Sequence, residues 1–278
     1  MTRHPLRAAL LILVATASCR ADVAPPREGP PARVIALAPN LAELVAFAGG
    51  TGRLVARTRF TDHPPELTSL PEIGDAFEPD LEALLAVRPD RVLLLSGWEG
   101  GPVAGELKRL GIPVRFFSVE TEEDVIATVE ALGRELGLPE AGDRAGELHA
   151  AAEALRRLPP APERVLMLNG RRPLVASGPG SWGDTLIRLA GRRNALEGNP
   201  VRYPVLDREL VLSLDPDVLV DLSGAWEGGQ GWSDLAGARA VRAGHAFTLS
   251  HPSLLRPGPR FPEAAALLRG VLDEGRTP

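Results

Sequence analysis

The residues best able to do chemistry in this chain of 278 residues come in related pairs. Glu82 and Glu209 each stand seven residues before a Pro-Asp dipeptide, Pro89-Asp90 and Pro216-Asp217, and each opens a helical pattern. Glu99 and Glu227 each follow a tryptophan in a repeated glycine-rich loop. Two carboxylates facing one site could serve as acid and base, yet a duplicated loop accounts for this pair without any reaction. Aromatic residues make up only 4% of the chain. Phe60, Phe77, Trp98, Trp226 and Tyr203, the single tyrosine, all fall in loops expected beside strand ends. Flat apolar rings with a polar edge suit a large planar ligand. Two further groups precede the last helical pattern. Arg256 could pair with a carboxylate, amide or phosphate, or bond nearby helix carbonyls. His251 could coordinate a metal centre, or be an ordinary loop histidine in solvent. Trp182, at an expected helix start after Gly180-Ser181, belongs to the core.

The elements that would position these residues repeat. Pro89-Asp90-Arg91-Val92-Leu93-Leu94-Leu95-Ser96-Gly97-Trp98-Glu99-Gly100-Gly101 is echoed by Pro216-Asp217-Val218-Leu219-Val220-Asp221-Leu222-Ser223-Gly224-Ala225-Trp226-Glu227-Gly228-Gly229, and Arg33-Val34-Ile35-Ala36-Leu37 by Arg164-Val165-Leu166-Met167-Leu168. Three landmarks at nearly constant offsets indicate two equivalent lobes. In each lobe short apolar runs alternate with amphipathic stretches, the pattern of an α/β fold with helices covering a sheet. The first lobe has strands expected at 34–37, 54–57, 91–95 and 114–117, with helices at 41–47, 81–87, 101–110 and 122–136. The second has strands at 165–168, 218–221 and 246–249, with helices at 182–190, 208–214 and 261–272. Between them, Leu148, Ala151, Ala152, Leu155 and Leu158 recur at helical spacing after Pro139, and Pro159-Pro160 stops the pattern. A helix over 139–158 would be roughly 28 Å long and could join both lobes as one rigid connector. Such a connector allows small closure motions rather than a wide hinge. The expected division is a leader at 1–19, a flexible tether at 20–32, lobes at 33–137 and 161–278, and the connecting helix at 138–160.

Composition narrows the function. A net charge of −5 argues against nucleic acid as a partner, and 44% hydrophobic with 24% charged residues is ordinary for a globular protein. Arg3, His4 and Arg7 precede the apolar run Ala8 to Val14 and the small residues Ala15 to Ser18, the pattern of a secretory leader. Cys19, the only cysteine, follows at once and resembles a bacterial lipoprotein processing site, although Thr16 stands where such sites usually have Leu. Incidental placement beside an ordinary cleavage site is the alternative. No enzyme motif stands out: Gly178-Pro179-Gly180-Ser181 lacks the lysine of a phosphate-binding loop, and the glycine-rich loop at Trp98 runs into proline. A receptor for free zinc or manganese would need several converging ligands. Of the five histidines, His4 is in the leader and His149 on the connector, leaving His63, His245 and His251 in separate regions. No resident metal or cofactor is expected.

Leader, paired lobes and helical connector together resemble the helical-backbone class of ABC-importer binding proteins, and within it the family that binds vitamin B12 and iron chelates. The resemblance rests on 33–44, on Thr61-Asp62-His63-Pro64-Pro65-Glu66, on Asp80 to Asp90, on Ala176 to Ser181 and on Arg256-Pro257-Gly258-Pro259-Arg260, and extends from Arg33 to the last helix. It implies a receptor rather than an enzyme, with the ligand in a cleft between lobes. It also implies that Glu82 and Glu209 dock on arginines of a two-fold permease served by a cytoplasmic ATPase; as residues alone, both are also helix N-terminal acids favoured by the dipole. In the B12-binding branch aromatics occur at positions resembling those of Phe60, Trp98 and Tyr203; Phe77 is near such a position, and Trp226 rests on the repeat alone. The expected cargo is therefore cobalamin or a related corrinoid. Haem, for which Tyr203 or His251 would be ligands, and ferric siderophores are the alternatives within the family. The expected receptor is an exported monomer, membrane-associated only through a lipid on Cys19.

Overall fold

In the computed structural model, residues 29–224 and 231–274 are described. The expected leader, Cys19, most of the tether, Trp226 and Glu227 lie outside them. The first lobe is built on a sheet of four parallel strands, β1 (Val34–Ala36), β2 (Leu54–Ala56), β3 (Arg91–Leu95) and β4 (Val114–Phe117), in the order β2-β1-β3-β4. Parallel neighbours need crossover connections. Helices α1 (Pro39–Val45), α2 (Leu81–Ala86) and α3 (Pro102–Arg109) lie within them. The sheet is covered on both faces, which is why its strands read as unbroken apolar runs. Val34, Ala36 and Leu93 point toward α1 and the helices beyond it. Ile35, Leu37, Val92 and Leu94 point to the other face, with Leu84 of α2 and Leu107 of α3.

Helices α4 (Glu122–Leu136) and α5 (Ala141–Arg156) follow and pack against each other. The α4 N-terminus is capped by the Thr121 hydroxyl, which accepts from the Asp124 N–H at 3.2 Å, and carries three acids in its first turn. Gly137 ends it in the left-handed conformation, at φ 64°. Helix α5 is shorter at both ends than the apolar spacing suggests: sixteen residues, about 24 Å. Pro139 lies in the turn before it, and the backbone leaves the helix before Pro159. The helix packs against both lobes, on α4 and the 46–50 turn on one side and on elements of the second lobe on the other.

The second lobe has a larger sheet than the repeat suggests. Its strands are β5 (Arg164–Arg171), β6 (Leu174–Ala176), β7 (Arg193–Asn194), β8 (Val205–Leu206), β9 (Val218–Asp221) and β10 (Ala246–Thr248), flanked by α6 (Trp182–Leu189), α7 (Arg208–Leu214) and the C-terminal helix Phe261–Glu274. β10, β9 and β5 are parallel. β5 extends three residues beyond the expected strand and turns at Arg172-Pro173 into the antiparallel β6, which pairs in turn with β8. These short strands carry too few residues to show a period. Val165 and Met167 face a layer formed with α5, α6 and Phe261; Leu166 and Leu168 face Val211 of α7 and Leu235. That first layer is continuous with the α1–α4 side of the first lobe, so one apolar core joins both sheets.

The duplication is visible in atomic detail. In the first lobe the Asp90 carboxylate accepts from the Arg33 N–H at 3.0 Å, and the Arg33 guanidinium donates to the Val87 carbonyl at 2.7 Å. In the second, Asp217 accepts from the Arg164 N–H at 2.8 Å, and Arg164 donates to the Leu214 carbonyl at 2.9 Å. The residue before each Pro-Asp has a left-handed backbone, Arg88 at φ 45° and Asp215 at φ 43°. Non-glycine residues adopt this conformation uncommonly, so its recurrence at equivalent points marks one motif used twice.

Candidate functional site

The lobes meet at the carboxyl end of the first sheet, where α1 and the loops after β2 and β4 face the Tyr203 loop and the 256–260 segment of the second lobe. Among the described residues, four side-chain hydrogen-bonded pairs bridge the lobes. Asn40 of α1 donates to the Pro257 carbonyl at 3.1 Å. Arg260 donates to both carboxylate oxygens of Glu43, at 2.6 and 3.1 Å, and Glu43 is only 4% exposed. Arg256 forms a forked ion pair with Asp62 in the loop after β2, its longer arm 3.3 Å; this hydrogen bond holds the Asp62 carboxyl below the usual carboxylate range. Tyr203, before β8, donates its hydroxyl to Glu120, after β4, at 2.6 Å. Partial burial and then the Glu120 charge push the phenol well above its ordinary value.

The aromatics divide accordingly. Phe60 (58% exposed) and Tyr203 (40% exposed) stand on loops at this edge, one from each lobe. Trp98 is half-buried after β3 and meets Phe77 with ring centroids 5.2 Å apart at a 39° tilt. Phe77 is 75% exposed, so the pair offers a tilted aromatic wall beside the first sheet. Trp182 is in the core, as expected, at 4% exposure, and its indole N–H donates to the Leu254 carbonyl at 3.0 Å. Tyr203 is held in place by a close backbone approach: Gly178 donates to the Arg202 carbonyl at 2.8 Å, and a Cβ at Gly178 would collide with the Val201 carbonyl.

Other expected residues are engaged within the protein. His251 caps the short helix Pro252–Leu255, its Nδ1 lying 2.8 Å from the Ser253 hydroxyl and accepting from the Ser253 N–H, while Nε2 is 3.7 Å from Glu263. Arg256 bonds Asp62 rather than helix carbonyls. The Glu99 carboxylate accepts from the Gly97 N–H of its own loop at 2.7 Å. Among the described residues no group of three or more His, Cys, Asp and Glu side chains gathers as a metal cluster, and no helix is long and apolar enough to cross a membrane.

Sequence reasoning missed Glu120, Glu43 and Asp62, whose partners lie 83, 217 and 194 positions away. A lone acid in a loop gives no signal of a partner so distant. Glu82 and Glu209 are both exposed and occupy the same place in their helices. Asp80 caps α2 by accepting from the Ala83 N–H at 3.0 Å, and Asp207 caps α7 by accepting from Leu210 at 2.7 Å. Each glutamate is the second residue of its helix, and neither has an ion-pair partner among the described residues. Because α2 and α7 run back to the start of a following parallel strand, their N-termini lie toward the edge where the strands end.

Two α/β units on a shared helical layer, with loop aromatics near their junction, have the architecture of a two-lobed binding protein. The periplasmic binding protein family matches residues 34–249, and the chain belongs to that family. Among its relatives is the vitamin B12-binding protein of Pectobacterium atrosepticum, 31% identical over 200 residues that cover 68% of this chain and 71% of the relative. The crystal structure of the periplasmic vitamin B12-binding protein BtuF of Vibrio cholerae is 25% identical, with a TM-score of 0.74, covering 90% of this chain and 99% of BtuF. The haem-binding protein BhuT, solved with two haems, is 28% identical, with a TM-score of 0.73, covering 89% of this chain and 99% of BhuT.

Proposed function

We propose that this protein is the substrate-binding component of an ABC importer, capturing cobalamin or a related corrinoid and handing it to a two-fold membrane permease driven by a cytoplasmic ATPase. It performs no reaction on its cargo. The observation that carries the reading is the junction itself: exposed rings from both lobes at facing sheet edges, suited to a large flat ligand. The B12-binding relatives support the choice of ligand. In this reading Phe60, Phe77, Trp98, Tyr203 and Trp226 contact the corrin, and Arg256 and His251 stand at the margin of the cleft. Glu82 and Glu209 dock on basic patches of the permease, two separated carboxylates fixing orientation on a two-fold partner. Residues 33–137 and 161–278 are the lobes and 138–160 the connector. Residues 1–19 export the chain to the periplasmic side, Cys19 carries a lipid, and 20–32 is the tether of a monomer.

Haem is the second reading, favoured by the BhuT likeness. Titration calorimetry of the purified protein with cyanocobalamin separates the two. Saturable one-to-one binding at micromolar affinity or better is expected; absence of binding, with saturable binding of ferric haem, would replace the first reading by the second.

A further inference from the structure

Resting on the receptor reading, a further role falls to a buried ion pair of the second lobe. Arg171, the last residue of β5, and Asp221, the last of β9, are 4% and 0% exposed. The two strands run parallel, so the pair sits at the carboxyl end of the second sheet, the edge at which open α/β sheets bind ligands. The guanidinium donates to Asp221 at 3.1 Å and to Asp234, reaches the Gly231 carbonyl at 3.5 Å, and lies 4.6 Å over the Trp232 ring. The other Asp221 oxygen accepts from both the N–H and the hydroxyl of Ser223, at 2.8 and 2.6 Å. One buried pair therefore holds two separate stretches of chain, 222–224 on leaving β9 and 231–234 further on.

Stability does not account for the pair. The repeat supplies an internal comparison, because Leu94 occupies the position of Asp221 in the first lobe and is buried with Leu84 and Leu107. There Ser96, the counterpart of Ser223, is held by the strand ladder instead: its N–H donates to the Phe117 carbonyl of β4 at 2.9 Å. The same strand end thus folds with an apolar residue and no buried charge. Desolvating two charges offsets much of what their attraction gains, and apolar groups of similar volume are often as stable. What a buried guanidinium adds is direction, since its planar fork meets its acceptors in one arrangement only.

We propose that Arg171 is a positioning residue for ligand capture, using Asp221 and Asp234 to set residues 222–224 and 231–234 as one wall of the second lobe beside the cargo. Being buried, Arg171 acts through the segments it holds. The two lobes then present different walls to an unsymmetrical ligand, one backed by apolar packing and the other anchored by charge.

Arg171→Met with Asp221→Asn removes both charges, keeps an acceptor for Ser223 and separates position from stability. Its melting temperature should stay within about 3 °C of the unmodified protein. Calorimetry with cyanocobalamin should give about tenfold weaker affinity, the cost of ordering one or two side chains afresh on binding. Limited digestion with chymotrypsin reads the position without ligand: cleavage after Trp232 should be about tenfold faster in the variant, as local opening becomes easier. Unchanged affinity or unchanged cleavage would overturn the inference, as would a melting temperature that falls along with affinity, the mark of a merely structural pair. Failure of the unmodified protein to bind cyanocobalamin would refute the receptor proposal instead, and the digestion would still show whether Arg171 holds the two segments.

Discussion

The Arg260–Glu43 pair gives the sharpest quantitative test of how the two lobes are held. Glu43 lies on α1 of the first lobe and is almost wholly buried. Its charge is balanced by one bidentate guanidinium from the loop that leads into the C-terminal helix. Arg260→Met keeps most of the apolar stem but leaves the carboxylate in a dry site without its counter-charge. Removing one partner of a buried pair costs about 3–5 kcal/mol. The Arg260 side chain is 20% exposed, so water can partly replace it, and the lower end of that range, about 3 kcal/mol, is expected. For a chain of this size each kcal/mol moves the melting temperature by about 2–4 °C, so melting should fall by about 6–12 °C. Urea unfolding followed by tryptophan fluorescence supplies the free energy directly.

The control is the double variant. Glu43→Leu with Arg260→Met removes both charges together, and replacing a buried ion pair by apolar groups is often neutral. It should therefore recover stability to within about 1 kcal/mol of the unmodified protein. If Arg260→Met alone cost less than about 1 kcal/mol, the value typical of an exposed pair, the carboxylate would be solvated and the clasp would not be a fixed joint. Unfolding should also be a single transition, because one apolar core runs through both lobes; two separated transitions would show that the lobes fold independently.

Three further outcomes follow from other parts of the structure. Glu82→Ala combined with Glu209→Ala should abolish cobalamin uptake in cells, while titration of the purified variant gives unchanged affinity; lost affinity would void the docking role. Gly178→Ala should force the Val201 carbonyl and the Tyr203 loop outward, weakening cyanocobalamin binding by about tenfold, equivalent to roughly 1.4 kcal/mol, as measured by calorimetry. The Asp62 carboxyl is held low by Arg256, so its contribution to stability is present above the unfolded value of about 3.9 and is lost as pH falls through the lower folded value. Acid denaturation in that window should accordingly be steeper for the unmodified protein than for Asp62→Asn, and equal slopes would mean that the pair is not maintained in solution.

The periodic parts of the fold were legible and the contacts across the cleft were not. The strands at Arg91–Leu95, Val114–Phe117 and Val218–Asp221 and the helices at Glu122–Leu136 and Arg208–Leu214 coincide with the elements read from apolar spacing and caps. Their burial is set by neighbours in sequence or by one sheet face, and each leaves a period. β6, β7 and β8 have two or three residues each, too few for a period, and are held by pairing, β6 and β7 with β5 and β8 with β6. At the site, aromatics could be singled out by their rarity. The His251 cap belongs to a helix of four residues, too short to show a period, and the commitment of Arg256 to Asp62 depends on where the lobes come to rest against each other. Composition and local pattern carry no record of that distance.

The duplication was copied unevenly, and the unevenness has a direction. The strand-start arginine, the Pro-Asp carboxylate, the left-handed residue before it, the aspartate cap and the glutamate two positions beyond that cap are the same in both lobes. Asp221, by contrast, stands in the repeat where the first lobe has the buried Leu94. It is itself buried, ion-paired to Arg171 at 3.1 Å, with the Arg171 guanidinium 4.6 Å over the Trp232 ring. A buried charge is retained only when paired, so this change required compensating changes in two other segments of the second lobe. Tyr203, Glu120, Arg256 and Asp62 likewise lie outside the repeated segments. A partner with two-fold symmetry presents the same surface twice and is met by features kept the same twice. A corrin has no such symmetry, and its two faces require different walls. The glutamates are equivalent while the residues at the junction differ between the lobes, which is what the proposed docking on a symmetric permease and the proposed asymmetric ligand would require.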